Sequence, residues 1–214
     1  MAQPGFDGIE LVVHAMAQTS VDNETYFSDL DAVVGDGDFG YSLARGFEIV
    51  IATWDDIDRT DAATFLRKVA AIITSRVGGT SGPLWGTAFM RAGAVVAGSE
   101  RIGADQAVAM LRAAIGGVKE RGQSDVGDKT LLDALVPAVD ELERAVDDGS
   151  DAAAAVGNAA ATSCAAAEGT SSMLAKRGRA AYTGERSIGS PDAGAIGVAV
   201  MFETVARLWP QSQR

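Results

Sequence analysis

Apolar residues recur at intervals of three and four along most of the chain, the spacing of a helix with one buried face. Ile9, Val12, Val13 and Met16 form such a stripe between Phe6 and about Gln18. Leu43 to Thr53 predicts a second helix. A third starts at Thr60-Asp61, where a side-chain oxygen can cap the free N–H groups, and carries Phe65, Val69, Ile72 and Ile73 on one face. The run Gly78-Gly79-Thr80-Ser81-Gly82-Pro83 interrupts the pattern, and a fourth helix follows to about Ala97. Asp105 opens a fifth with Val108, Leu111, Ile115 and Val118, and Thr130 a sixth with Leu131, Leu135 and Val139. Asp151 to about Ala175 reads as a long Ala-rich seventh, and Asp192 to Leu208 as an eighth. Ser20 to Gly37 and Lys176 to Pro191 read as loops, the second rich in Arg and Gly. No stretch alternates as a strand does, no fixed-period repeat is present, and no Pro- or Ser-rich linker divides the chain. The expectation is an all-α fold of about eight helices, with residues 1–214 forming one domain.

Composition narrows the partners. Hydrophobic residues make up 47% of the 214, enough for a sizeable core, and the formal net charge is −11. An acidic surface repels phosphodiester backbones and anionic lipid, so neither nucleic acid nor a membrane is expected as partner. No apolar run is long enough to span a bilayer, and no secretory leader is expected. The single Cys164 forms no intramolecular disulfide and reads as a small core residue, so a reducing, cytoplasmic setting is expected. A polyphosphate ligand would need a cation to approach such a protein.

The candidate chemistry lies in four glycine-rich loops. In the first, Asp31, Asp36 and Asp38 place three carboxylates within eight residues, separated by Gly35 and Gly37. Hard oxygen donors of this kind suit Mg²⁺ or Ca²⁺, although a solvated acidic turn is equally consistent with the spacing. Gly35 to Gly40 matches G-x-G-x-x-G, but the strand–turn–helix setting of a dinucleotide site is missing. An EF-hand starting at Asp36 would need Glu at the position occupied by Phe47. The second loop, Gly78 to Pro83, precedes a helix whose N-terminus could hold an anion or simply be capped. The third, Gly122 to Asp133, contains Gly127-Asp128-Lys129-Thr130; Asp128 separates Gly from Lys, so this is no P-loop, and a capped helix start suffices. The fourth places Lys176, Arg177, Arg179 and Arg186 close together in an acidic chain, where they could neutralise phosphate or face solvent.

Taken in order, these loops resemble the L subunit, the DhaL-type domain, of dihydroxyacetone kinases. The resemblance runs from about residue 5 to residue 208. It rests on Asp31…Gly35-Asp36-Gly37-Asp38, Gly79-Thr80-Ser81-Gly82-Pro83-Leu84-Trp85-Gly86-Thr87, Gly127-Asp128-Lys129-Thr130-Leu131-Leu132-Asp133 and Gly178-Arg179…Asp192-Ala193-Gly194. It implies a barrel of eight antiparallel helices with nucleotide bound in the loops at one end. It implies Mg²⁺, as two ions, on Asp31, Asp36 and Asp38, bridging ADP or ATP. It implies a nucleotide lining of Phe39, Gly40, Tyr41, Ser42, Thr80, Ser81, Gly122, Leu131, Arg179, Asp192, Ala193 and Gly194, with Arg179 also catalytic. Many relatives carry His where this chain has Phe39, and a smaller polar residue where it has Tyr41. The resemblance further implies a separate K-type subunit that holds the ketose or polyol on a histidine. The only His here, His14, lies in the first helix, far in sequence from every motif. The phosphoryl donor would be free ATP or a phosphotransferase-system protein. Two other roles share the domain: the nucleotide half of a kinase with another acceptor, as in fatty-acid kinases, and a nucleotide-occupied module that binds a transcription factor.

Overall fold

In a computed structural model, residues 5–212 are described; the first four residues and the last two of the expected domain lie outside them. Nine α-helices are present among the described residues, and no strand. They are α1 (Phe6–Asp22), α2 (Glu24–Ala32), α3 (Phe39–Ala52), α4 (Ala62–Arg76), α5 (Ser81–Val95), α6 (Ala104–Gly122), α7 (Leu132–Asp147), α8 (Ala152–Gly169) and α9 (Ala193–Ser212). Each of α3 to α8 packs on the next in sequence, α1 packs on α3, and α9 returns to α1. Eight helices therefore close an antiparallel barrel, with α2 lying outside it against α3 and α9.

Local chemistry starts and stops these helices. Asp61 and Asp151 precede α4 and α8, and accept from the N–H of Thr64 at 2.7 Å and of Ala154 at 2.9 Å. On the ring helices Leu43, Phe47, Phe65, Val69, Ile73, Leu132 and Val139 are fully buried, and so is Phe27 of α2. Small residues let the helices approach closely, as the Ala and Gly content foreshadows. A Cβ on Gly86 of α5 would lie 1.9 Å from Thr74 Oγ1 of α4. Among the described residues, no helix is long and apolar enough to cross a membrane.

Four expectations are corrected. The stretch read as a loop from Ser20 contains α2. It was hidden because only Phe27 of that helix is buried, and its few apolar residues are interspersed with acidic and hydroxyl side chains. The second barrel helix starts at Phe39 rather than Leu43. Helix α8 stops at Gly169 rather than about Ala175, followed by a 3₁₀ turn over Thr170–Ser172. The connection expected as a long open loop contains a 3₁₀ segment, Arg179–Ser187, kinked at Gly184.

Candidate functional site

In a closed up-and-down ring, alternate connections emerge at the same end. The α2–α3, α4–α5, α6–α7 and α8–α9 connections are the four glycine-rich loops, so the topology collects them on one rim. Direct contacts follow that rim. A Cβ on Gly78 would lie 2.8 Å from Ser42 Oγ, one on Gly122 would lie 3.2 Å from Leu84 Cδ2, and one on Gly194 would lie 3.4 Å from Leu131 Cβ.

At one side of the rim stand the three aspartates. Asp31 is in the last turn of α2, Asp36 is in the following loop, and Asp38 immediately precedes α3. One carboxylate oxygen from each lies within 4.8 Å of the others. The glycines make this possible. Gly35 N–H donates to the Asp31 carbonyl at 2.6 Å, and a Cβ there would fall 2.3 Å from Asp31 Oδ1. Gly37 adopts φ 74°, a left-handed conformation that returns the chain toward the cluster. The Arg179 Nε stands 3.0 Å from Asp36 Oδ1, bringing the fourth loop over the first. Both side chains remain open to solvent, at 67% and 37% exposure, so a ligand can reach them.

The electrostatics are those of crowded like charges. The Asp38 carboxyl is pushed above its ordinary range, first by desolvation, then by the negative charge of Asp36; Arg179 opposes this and Asp31 adds to it. The donor set is all carboxylate oxygen, has one guanidinium at its edge, and fits a hard divalent cation.

The other predicted residues take distinct places. Phe39 turns inward: its ring lies 6.1 Å from that of Phe27, and a Cβ on Gly197 of α9 would touch it at 3.5 Å. The position offers backbone to the rim while its ring joins the core. Gly40 is a close-approach residue, since a Cβ there would sit 2.0 Å from the Glu24 carbonyl oxygen. Tyr41 N–H donates to Ser28 Oγ at 3.1 Å, its ring is exposed, and the Arg45 guanidinium lies 5.2 Å from the ring centre. Thr80 and Ser81 form the N-terminus of α5, which has no side-chain cap, leaving its N–H groups available to an anion. Gly122 ends α6, and Leu131 immediately precedes α7. Asp192 precedes α9 and accepts from Ala195 N–H at 2.8 Å; desolvation pushes its carboxyl up to about 7, and Asp133 adds to that, while the Ala195 and Gly194 N–H groups and Lys129 oppose it. Ala193 and Gly194 form the first turn of α9.

The basic cluster divides. Only Arg179 reaches the aspartates; Lys176 and Arg177 turn to Asp128, at 3.5 Å and 3.3 Å. Lys129, expected as part of an ordinary helix start, is buried, and so is Asp133, whose carboxylate accepts from Gly127 N–H at 2.5 Å and Thr130 N–H at 2.7 Å. Leu131 and Leu132, just beyond Thr130, were the available signal that this segment turns inward.

The DAK2 domain model matches residues 33–207, from the carboxylate loop through most of α9. The chain belongs to the DAK2-domain family. This DhaL-type domain is 36% identical over 181 residues to the ADP-binding subunit DhaL of the PEP-dependent dihydroxyacetone kinase of Escherichia coli (strain K12), covering 85% of this chain and 86% of that one. It is 37% identical over 199 residues to L-erythrulose 1-kinase of Mycolicibacterium smegmatis, covering 92% of this chain but 34% of that longer protein. The dihydroxyacetone kinase of C. freundii in complex with AMP-PNP and Mg²⁺ superimposes with a TM-score of 0.76 at 26% identity, covering 97% of this chain and 35% of that one. The DhaL-type domain thus matches most of a stand-alone subunit and about a third of the longer kinases.

Proposed function

We propose that this chain is the nucleotide-holding, phosphoryl-donating subunit of a two-component kinase of the dihydroxyacetone type, a single DhaL-type domain over residues 1–214. The observation that carries the reading is the meeting of Asp31, Asp36 and Asp38 within 4.8 Å, with Arg179 at their edge. Mg²⁺, when bound there, supplies the positive charge that lets polyphosphate approach a protein of net charge −11. Three carboxylates offer six oxygens, enough for two ions that share ligands and complete their shells with phosphate and water. The N-termini of α5, at Thr80-Ser81, and of α9, at Asp192 to Gly194, supply backbone donors to phosphate or ribose oxygens. Gly122 and Leu131, next to Leu84 and Gly194, line the remaining nucleotide contact. Arg179 offsets negative charge on the transferring phosphoryl group.

The acceptor comes from elsewhere. Transfer requires donor and acceptor held in line, and this rim has no histidine with which to hold a ketone. His14 packs against Trp54 in the α3–α4 connection, at the other end of the barrel, with ring centres 4.9 Å apart. The rim does carry an unusual share of exposed apolar surface. Tyr26, Val33, Tyr41, Val126, Leu174, Tyr182 and Ile188 are all at this end, and Tyr182 is 92% exposed. A separate K-type subunit carrying the ketose or polyol would cover that surface and exclude water from the phosphate. The L subunits of the bacterial relatives carry names that specify PEP dependence, so a phosphotransferase-system protein is the donor we expect in place of free ATP. A cytoplasmic location fits these partners.

A coupled assay for triose phosphate tests the division of labour. The chain alone, with Mg²⁺ and ATP, should give none, and adding a K-type subunit with a phosphoryl donor should start turnover. Turnover by the chain alone overturns the two-subunit reading.

A further inference from the structure

A buried ammonium with no carboxylate counter-ion among its hydrogen-bond partners is costly, so its partners indicate what it is for. Lys129 is 2% exposed and adopts φ 62°, a left-handed conformation uncommon for a side chain of its size. Its Nζ donates to the carbonyls of Met173 at 3.2 Å, Ser190 at 2.7 Å, and Ser187. Three N–H groups thus meet three carbonyls, all from the α8–α9 connection. Asp192 adds a longer-range attraction, while burial pulls the Lys129 pKa down.

Those three carbonyls lie at the neck of the connection. Met173 is where the chain leaves the Thr170–Ser172 turn, and Ser187 and Ser190 are where it returns toward α9. Other bonds close the same neck: Gly189 N–H to the Ser171 carbonyl at 2.8 Å, Ala175 N–H to Ser187 Oγ at 3.0 Å, and Lys176 N–H to the Asp128 carbonyl at 3.0 Å. Beyond the neck the chain carries Arg179 to within 3.0 Å of Asp36. No neutral side chain can replace Lys129 fully, because an amide has two N–H donors and a hydroxyl one.

We propose that Lys129 is a positioning residue: by tying the carbonyls of Met173, Ser187 and Ser190 together, it closes the base of the 173–190 loop and sets Arg179 over the aspartate cluster. The proposal rests on the reading of Arg179 as a phosphate contact. The three carbonyls occupy the Lys129 ammonium, so it acts through the loop it gathers.

The test is a double-mutant cycle in the full chain, with Mg²⁺ plus ADP as the probe. Lys129→Met keeps much of the stem and removes the donors; Arg179→Ala removes the side chain it places. Each should weaken Mg-ADP binding roughly tenfold, the scale of one charge-assisted hydrogen bond. The double variant should bind within about twofold of Arg179→Ala, because a residue acting through Arg179 has nothing left to place. Independent effects, giving roughly a hundredfold loss in the double variant, overturn the proposal. Trypsin provides a readout free of nucleotide: cleavage after Arg177, Arg179 and Arg186 should be at least about tenfold faster in Lys129→Met, with helical circular dichroism unchanged. Unaltered cleavage also overturns the proposal. Faster cleavage with a silent Arg179→Ala leaves the clamp standing and sinks the phosphate role of Arg179 instead. Should Lys129→Met fail to fold, Lys129→Gln, which keeps two of the three donors, undergoes the same cycle.

Discussion

Asp38→Asn should make the ligand-free protein more stable and its Mg-nucleotide complex weaker. Asp38 shares the cluster with Asp31 and Asp36, carboxylate oxygens within 4.8 Å of one another. At that separation each pair of charges repels by ~1 kcal/mol in a water-like dielectric and by ~3.5 kcal/mol at an effective value of 20. The cluster is partly open to solvent, so the lower figure applies, and the raised Asp38 pKa has the same sign. The substitution keeps the backbone bond from Ser42 N–H to the Asp38 carbonyl, at 2.8 Å. Asp38 faces two such neighbours, about 2 kcal/mol of repulsion, and loses the opposing attraction of Arg179, so the net gain should be about 1 kcal/mol, or roughly 2–4 °C in Tm for a chain of this size. Binding moves the other way. Ligand at a hundred times its Kd stabilises the folded state by about 2.7 kcal/mol; if the variant binds a hundredfold more weakly, the same concentration gives about 0.4 kcal/mol. Thermal melts of wild type and Asp38→Asn, with and without Mg-ADP, read both effects. Asp56→Asn, exposed in the α3–α4 connection, is the control and should change neither. A variant that melts lower without ligand, or keeps the full ligand-induced shift, would refute the reasoning that three crowded carboxylates await a cation.

Gly40→Ala would drive a Cβ to 2.0 Å from the Glu24 carbonyl oxygen, so urea unfolding should register a loss of about 1–3 kcal/mol, with weaker Mg-ADP binding because α2 carries Asp31. An unchanged urea midpoint would contradict the close α2–α3 packing. Asp192 predicts a pH dependence. Its folded-state pKa is raised to about 7, so the folded chain holds a proton that the unfolded chain releases. The resulting stabilisation is present below the unfolded pKa of ~3.9 and is lost as pH rises toward about 7. Asp192→Asn keeps a cap acceptor for α9 and removes the proton, so its stability should fall less than that of wild type between those limits; parallel curves would show that the carboxyl is not held protonated.

The barrel was legible because hydrophobic period, with capping and glycine signals at helix ends, predicts eight helices, and all eight belong to the ring. Helix α2 escaped because it is short and lies outside the ring with only Phe27 buried and Leu30 partly covered, too little to leave a clear stripe. The end of α8 was overrun because Ala continues both a helix and an irregular segment, and Ala175 is buried in the latter. The three aspartates were legible by spacing, since glycines between acids allow their carboxylates to converge. Their meeting with Arg179 was not, because the two are joined only by the closure of the ring. Lys176 and Arg177 carried the same charge signal as Arg179 but turn to Asp128, and a charge count cannot distinguish an internal partner from a ligand. Lys129 is the reverse case: its neighbours gave it the look of a helix start, while its work is tertiary and rests on carbonyls more than forty residues away in sequence.

The most direct test of the account is a calorimetric titration of ADP into the purified chain, with Mg²⁺ and then with chelator. Asp31, Asp36 and Asp38 without a cation repel a diphosphate, so binding should be tight with Mg²⁺ and lost without it. Equal affinity under both conditions would contradict the claim that these three carboxylates hold the nucleotide through metal.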